Sequence, residues 1–184
     1  MKSILLSIKP KYVELIASGQ KTIEVRKSVP KLDRPFKCYI YCTQGKYKDL
    51  FAYGDWIYQN RGKVIGEYVC DRITDISVVV RNCNEDYNHV YHNDECKGSC
   101  LTWKELQEYG KGKTLYAWHI SNLKIYDKPK ELREFYAYTG SGMCPYACPY
   151  FDKSIDDDPC GSCQGDRKYL TRPPQSWCYV EVEG

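Results

Sequence analysis

Apolar residues crowd Ser3 to Ile8, SILLSI, which reads as a strand buried on both sides. Pro10 then opens a helix, at the one place where its missing N–H costs nothing. Over PKYVELIAS, Val13, Ile16 and Ala17 fall on one side, and Gly19 ends the helix as a left-handed cap. The pattern next changes to period two. In KTIEVRK, Ile23 and Val25 point one way, and Thr22, Glu24 and Arg26 the other. Residues 36–42, FKCYIYC, make a strong strand. Residues 63–80 make a longer one, with Gly66 suited to a bulge. The polar stretch 81–99 reads as a loop. Thr102, with Glu105 three residues on, marks the start of a short helix over 101–110 that Gly110 ends. Residues 115–127 form a strand, Pro129 is expected to start a helical turn over 128–138, and 173–183 closes the chain as a strand. No strand–helix alternation runs through this order, and no long internal repeat is visible. The expectation is an α+β fold, a small mixed β-barrel with two or three short helices.

Length makes this one domain over 1–184. With 42% hydrophobic and 14% aromatic residues the chain is globular and not disordered. No apolar run approaches the roughly 18–20 residues of a membrane span. The N-terminal apolar patch, about five residues, is too short for the core of a secretory signal. The expectation is a cytoplasmic protein with no membrane partner. Net charge is only +3, yet residues 1–48 hold eleven Lys/Arg against three Asp/Glu, and the remainder 16 against 21. A basic first quarter suits an anionic partner, nucleic acid or nucleotide. Some of the 18 tyrosines could stack on bases.

Eleven cysteines, an odd number, argue against a disulfide scaffold in such a chain. Four are clustered, Cys144, Cys148, Cys160 and Cys163, in CPYACPYFDKSIDDDPCGSC. Two close pairs joined by a short loop are what a tetrahedral thiolate site needs, and zinc is favoured over an iron–sulfur cluster. Pro145 and Pro149 forbid regular helix there, and Gly161 suits a knuckle turn. Aliphatic residues are nearly absent from 139–168, so a structural metal would have to hold the segment. A second pair, Cys96 and Cys100, has His89 and His92 upstream and makes a candidate second site.

The strongest constellation is Gly19-x-Lys21-x-x-Glu24-x-Arg26. Arg26 can fork onto phosphate or carboxylate, Lys21 can supply a point charge, and Glu24 can orient either or accept from a base amino group. In a catalytic version Glu24 is the general base and Lys21 stabilises an oxyanion. The plainer alternative is an exposed Glu–Arg pair worth under about 1 kcal/mol. Lys21, leaving the Gly19 turn, is expected at the cleft rim.

The motif and its setting resemble the G-x-K-x-x-E-x-R signature of the ASCH domain, a branch of the PUA-like superfamily, here of the bacterial or phage type suggested by the C-terminal ending, with a cysteine-rich insertion that lies outside the general family pattern. VIGEYVCDRI resembles the family's central strand, YAWHISNLKIYDKPKELREF its late strand, and RPPQSWCYVE a C-terminal ending. The resemblance spans roughly 1–136 and 172–182 and leaves about 139–171 as a zinc-knuckle insertion. It implies a PUA-like barrel whose motif residues line a cleft that binds RNA or a nucleotide-like ligand. Hydrolase members, amidohydrolases on acylated cytidines or nucleases, imply an alternative activity in the same cleft. Those amidohydrolases are similar at Lys21 but carry threonine in place of Glu24, with Glu95 a candidate for their glutamate. A third reading is a zinc-stabilised protein-interaction module.

Secondary candidates are Gln175 and Ser176 on the last strand and Thr43 and Gln44 at the end of residues 36–42, all as ligand contacts. Ser176 has no histidine nearby in sequence to make it a nucleophile. His119, in an apolar strand, reads as a core histidine, and Trp118 and Trp177 as core.

Overall fold

The computed structural model describes residues 2–45, 54–77, 94–137 and 169–182, without the side chains of Asp94, Glu95 and Val182. Cys144, Cys148, Cys160, Cys163, His89 and His92 lie outside the described residues.

Nine strands and four short helices are described: β1 (Ser3–Ile8), α1 (Pro10–Ala17), β2 (Ile23–Arg26), β3 (Phe36–Cys42), α2 (Asp55–Gln59), β4 (Lys63–Cys70), β5 (Ile73–Asp75), α3 (Asp94–Lys97), α4 (Trp103–Gly110), β6 (Tyr116–His119), β7 (Ser121–Glu131), β8 (Phe135–Ala137) and β9 (Trp177–Val182). A 3-10 turn, Leu132–Glu134, precedes β8. The fold is α+β and sheet-dominated. The expected closed barrel is not found among the described residues: the strands form a six-stranded sheet, β7-β4-β3-β1-β9-β8, and a three-stranded one, β2-β6-β5.

The central strands explain their own composition. β1 lies between β3, parallel, and β9, antiparallel. Ile4, Leu6 and Ile8 face one core, with Val13 and Ile16 of α1, Ile40 of β3 and Trp118 of β6. Leu5 faces the other way, with Tyr39, Tyr41, Val64, Phe135 and Val180. A strand buried on both faces has no use for alternation, which is why SILLSI is a continuous apolar run. A third cluster, including Ile23, Val25, Leu106 and Ala117, packs β2 and β6 against α4.

Several expectations change. The strand foreseen over 63–80 breaks after Cys70, and its second part, β5, joins the other sheet. Gly66 does sit at an irregularity: Ile40 pairs with Gly66 and Tyr41 with Val64, leaving Ile65 as the extra residue. A Cβ at Gly66 would lie 2.5 Å from the carbonyl oxygen of Lys124, so only glycine permits this approach. Pro129 itself starts no helix, and the helical turn expected over 128–138 is confined to the 3-10 turn Leu132–Glu134. Pro129 lies inside β7, where Val64 pairs with Lys130 and Gly66 with Ile125, so the proline falls in a bulge on an edge strand. There its missing N–H removes no ladder bond. The strand foreseen over 115–127 divides at Ile120 between the two sheets. The stretch 81–99, expected as loop, contains α3. Helix α4 starts as foreseen, with the Thr102–Glu105 capping box, but its left-handed residue is Lys111, φ 49°, one past Gly110. Gly19, φ 75°, caps α1 as expected.

His119 is not a core histidine. It is half-exposed, with Nδ1 2.7 Å from Asp71 Oδ1. Trp118 is core, while Trp177 is half-buried and donates from Nε1 to Ser28 Oγ at 3.1 Å. Among the described residues no helix is long and apolar enough to cross a membrane.

Candidate functional site

A cleft of about 830 Å³ opens between α1, β2, α4 and the segment 173–176. Its floor is the motif strand. β2 pairs with β6 in antiparallel register, Glu24 opposite Trp118 and Arg26 opposite Tyr116. That pairing holds Ile23 and Val25 in the third core and turns Glu24 and Arg26 together to the opposite face. Lys21, Glu24 and Arg26 are 2%, 7% and 6% exposed. The exposed-pair alternative is therefore wrong: these charges are desolvated and have to be paired.

The pairing is specific. Glu24 Oε1 lies 3.0 Å from Arg26 Nη2, and Oε2 lies 3.4 Å from Lys21 Nζ. Arg26 also donates from Nη2 to the Ser7 carbonyl at 2.9 Å and from Nη1 to Ser176 Oγ at 3.2 Å, while its buried Nε has no partner among the described residues. Lys21 Nζ donates to the Ser99 carbonyl at 2.6 Å. The lysine is therefore part of the floor and not the rim, a correction to its expected place. The fixing partner comes from the turn after α3. The same turn's Gly98 carbonyl accepts from the backbone N–H of both Thr22 and Ile23. The last segment is anchored as well: Ser7 Oγ donates to the Pro174 carbonyl at 2.6 Å and Ser7 N–H to the Ser176 carbonyl at 3.0 Å.

Of the seven residues expected to meet a ligand, Lys21, Glu24, Arg26, Thr43, Gln175 and Ser176 line this one cleft, and Gln44 does not. Ser176 Oγ accepts from a guanidinium, which cannot take its proton, so a nucleophilic role has no support. Sequence reasoning missed the walls. Tyr12 of α1 lies beside Lys21, its ring centre 5.3 Å from Nζ. Tyr109 of α4 carries Lys27 Nζ 4.5 Å above its ring. Burial pushes the Tyr109 phenol up, and the nearby Arg26 guanidinium opposes that. Leu101, just before α4, and Glu105, Glu108 and Tyr109 on it recur at helical spacing on the cleft side, a signal that was present in the sequence.

The charged residues lining the cleft are Lys9, Lys21 and Arg26 against Glu24, Glu105 and Glu108. The interior is thus balanced, and among the described residues Lys2, Lys11, Lys27, Lys31, Arg34 and Lys37 of the basic first quarter lie outside its lining, with Lys11 paired to Glu105 and Lys37 to Glu67.

Among the described cysteines, Cys38, Cys42 and Cys70 are buried and not poised for chemistry. Burial pushes Cys42 and Cys70 to about 12 and Cys38 well above its usual range. Cys96 is buried in the third core, and Cys100 Sγ lies 3.3 Å from the Gln20 carbonyl. Among the described residues no group of three or more His, Cys, Asp or Glu could hold a metal ion.

A sheet-dominated α+β domain with charges buried in the floor of one cleft is the class defined by this fold and site. The family model of the ASCH domain matches residues 6–131, well over half of the chain, and the chain belongs to the ASCH domain family, a PUA-like family associated with RNA binding. No curated protein matches it in sequence. Among solved structures it is similar to a crystal structure of ASCH from Zymomonas mobilis, 19% identical, TM-score 0.49, over 71% of this chain and 73% of that one. It is also similar to a serine-to-alanine mutant of the Zymomonas mobilis ASCH protein, 16% identical, TM-score 0.55, over 97% of this chain and 88% of that one. At these identities the likeness concerns the fold, and only the second carries weight.

Proposed function

We propose that the protein binds single-stranded RNA or a nucleotide-like ligand, with one base entering the cleft beside Lys21, Glu24 and Arg26. The observation that carries this reading is the convergence of three buried, mutually paired charges on the floor of a cleft walled by Tyr12 and Tyr109. The balanced interior suits a neutral base with donors and acceptors, and the phosphates stay outside near Lys11 and Lys27. Tyrosine faces supply stacking at about 1–3 kcal/mol per base. The test is the affinity of Lys21→Ala and Arg26→Ala for single-stranded RNA, measured with each variant's melting temperature. A loss of affinity in folded variants supports the reading. Parent-like affinity in both would sink it.

Hydrolysis of a modified nucleoside or of RNA in the same cleft is a second reading. One observation favours it: the Lys21 ammonium has three donors, of which Ser99 and Glu24 engage two, leaving one for a developing negative charge. Turnover of acylated cytidine or of RNA, lost in Lys21→Ala, would support it. For the insertion at about 139–171 we propose a structural zinc on Cys144, Cys148, Cys160 and Cys163, a reading that rests on their spacing alone.

A further inference from the structure

Two chain segments leave the cleft floor side by side. One follows Arg26 through Lys27 and Ser28 to Lys31, and the other follows Ser176 into β9 through Trp177 to Tyr179. They are stitched together twice: Trp177 Nε1 donates to Ser28 Oγ at 3.1 Å, and the Lys31 backbone N–H donates to the Tyr179 hydroxyl at 2.7 Å. Trp177 and Tyr179 lie on the same face of β9, rings 5.4 Å apart and edge to face; both pack on the rim of the first core, Trp177 6.0 Å from Trp118, and stay half-buried with their outer parts open to solvent. Lys2 Nζ lies 3.8 Å above the Tyr179 ring. Lys27 and Lys31 are exposed. The result is an aromatic strip flanked by lysines and continuous with the cleft.

We propose that this strip along β9 carries the nucleotides flanking the one in the cleft, so that the ligand is a single-stranded polynucleotide and not a free nucleoside or mononucleotide. The proposal rests on the nucleic-acid reading of the cleft and extends it. Aromatic faces with neighbouring cations are the combination that binds single strands without reading their sequence. Glu181, next on that face of β9, ends the strip. The gain from added nucleotides should therefore level off within a few residues.

The experiment compares uridine monophosphate with oligouridylates of two to about six nucleotides. Three proteins are used: the parent, Lys2→Ala/Lys31→Ala, and Lys124→Ala/Lys128→Ala as a control. The control removes the same charge from β7, the edge strand on the far side of the sheet from β9, where both lysines are exposed. In the parent, affinity should rise with length. In the strip variant the monophosphate should bind as before, the length gain should be lost, and the slope of log K against log salt should shrink by about 1.4, or about 0.7 per lost phosphate contact. The control should leave slope and length gain unchanged. An unchanged length gain in the strip variant, an equal loss in the control, or a parent that binds the monophosphate as tightly as any oligomer overturns the strip alone. A parent that binds neither the monophosphate nor any oligomer overturns the cleft reading as well.

Discussion

Replacing Glu24 with alanine should be among the most damaging single changes in this molecule. Glu24 is the only acidic partner among the described residues for two cations that are nearly solvent-free, Lys21 at 3.4 Å and Arg26 at 3.0 Å. Without it Lys21 keeps the Ser99 carbonyl, and Arg26 keeps the Ser7 carbonyl and the Ser176 hydroxyl, but both charges lose their counter-ion. Removing one partner of a buried ion pair costs about 3–5 kcal/mol. For a chain of this size each kcal/mol lowers the melting temperature by roughly 2–4 °C, so Glu24→Ala should melt roughly 6–20 °C below the parent. Thermal melts followed by circular dichroism, with urea titrations at fixed temperature, measure both quantities. The control is the triple variant Lys21→Met/Glu24→Leu/Arg26→Met, which removes all three charges. Apolar replacement of a complete buried ion group is often neutral or stabilising, so the triple variant should recover most of the loss. A Glu24→Ala protein melting within about 2 °C of the parent would refute the argument, because such charges would have to be solvated. So would a triple variant less stable than the single one.

Three further outcomes are expected. Purified protein should contain close to one zinc per chain by elemental analysis, and Cys160→Ser should lose it and become protease-sensitive between about 140 and 168 while the two sheets persist; metal-free protein with a protease-resistant insertion would contradict this. Gly66→Ala should cost about 1–3 kcal/mol, because the new Cβ would press on the Lys124 carbonyl at 2.5 Å, a backbone atom that moves only if β4 and β7 separate; an unchanged urea midpoint would show that the bulge yields freely. Burial raises the Glu67 carboxyl, but hydrogen bonds from Tyr126 and Lys37 more than offset that and hold it below the usual range; its stabilisation is therefore present above the unfolded value of about 4.3 and lost as pH falls through the folded value, so Glu67→Gln should flatten the fall in stability between about pH 5 and 3, and a slope equal to the parent's there would count against the network.

What could be read from the chain, and what could not, divides by the range of the interactions. β1, α1, β2 and β3 fall where local pattern places them, since continuous apolar runs, a proline at the first helical turn and period-two alternation are all short-range signals. Pro129 misleads because its tolerance depends on lying in a bulge at a sheet edge, a property of β4 and β7 together. His119 misleads for a similar reason: its apolar neighbours describe the strand, but Asp71, 48 residues away, describes the side chain. In the cleft, the shared face of Glu24 and Arg26 follows from spacing alone. The burial of Lys21 does not, because the carbonyl that fixes it belongs to Ser99, 78 residues further on. Tyr12 and Tyr109 looked like any aromatic on a helix until the cleft gave one side of each helix a purpose.

The cost of the motif separates a site from a support. A fold that needed only stability at β2 would gain more from leucine or methionine at these three positions, given what desolvating each ion costs. The sheets around them are already well supplied, with β1 buried on both faces and Trp118 packed beside Glu24 on the neighbouring strand β6. The Lys21–Glu24–Arg26 group therefore contributes little that apolar side chains could not, apart from a fixed set of donors and acceptors at a depth water reaches poorly. Hydrogen bonds to a ligand are strongest there, and an incorrect ligand that leaves one of those groups unpaired is penalised most. The lysines outside the cleft play the complementary part. They are solvated and contribute little to stability, and under the proposed function their part is to attract a polyanion from a distance, an attraction lost in salt. Selectivity on the floor and attraction at the rim is the division of labour that the proposed base-binding cleft on a charged strand requires.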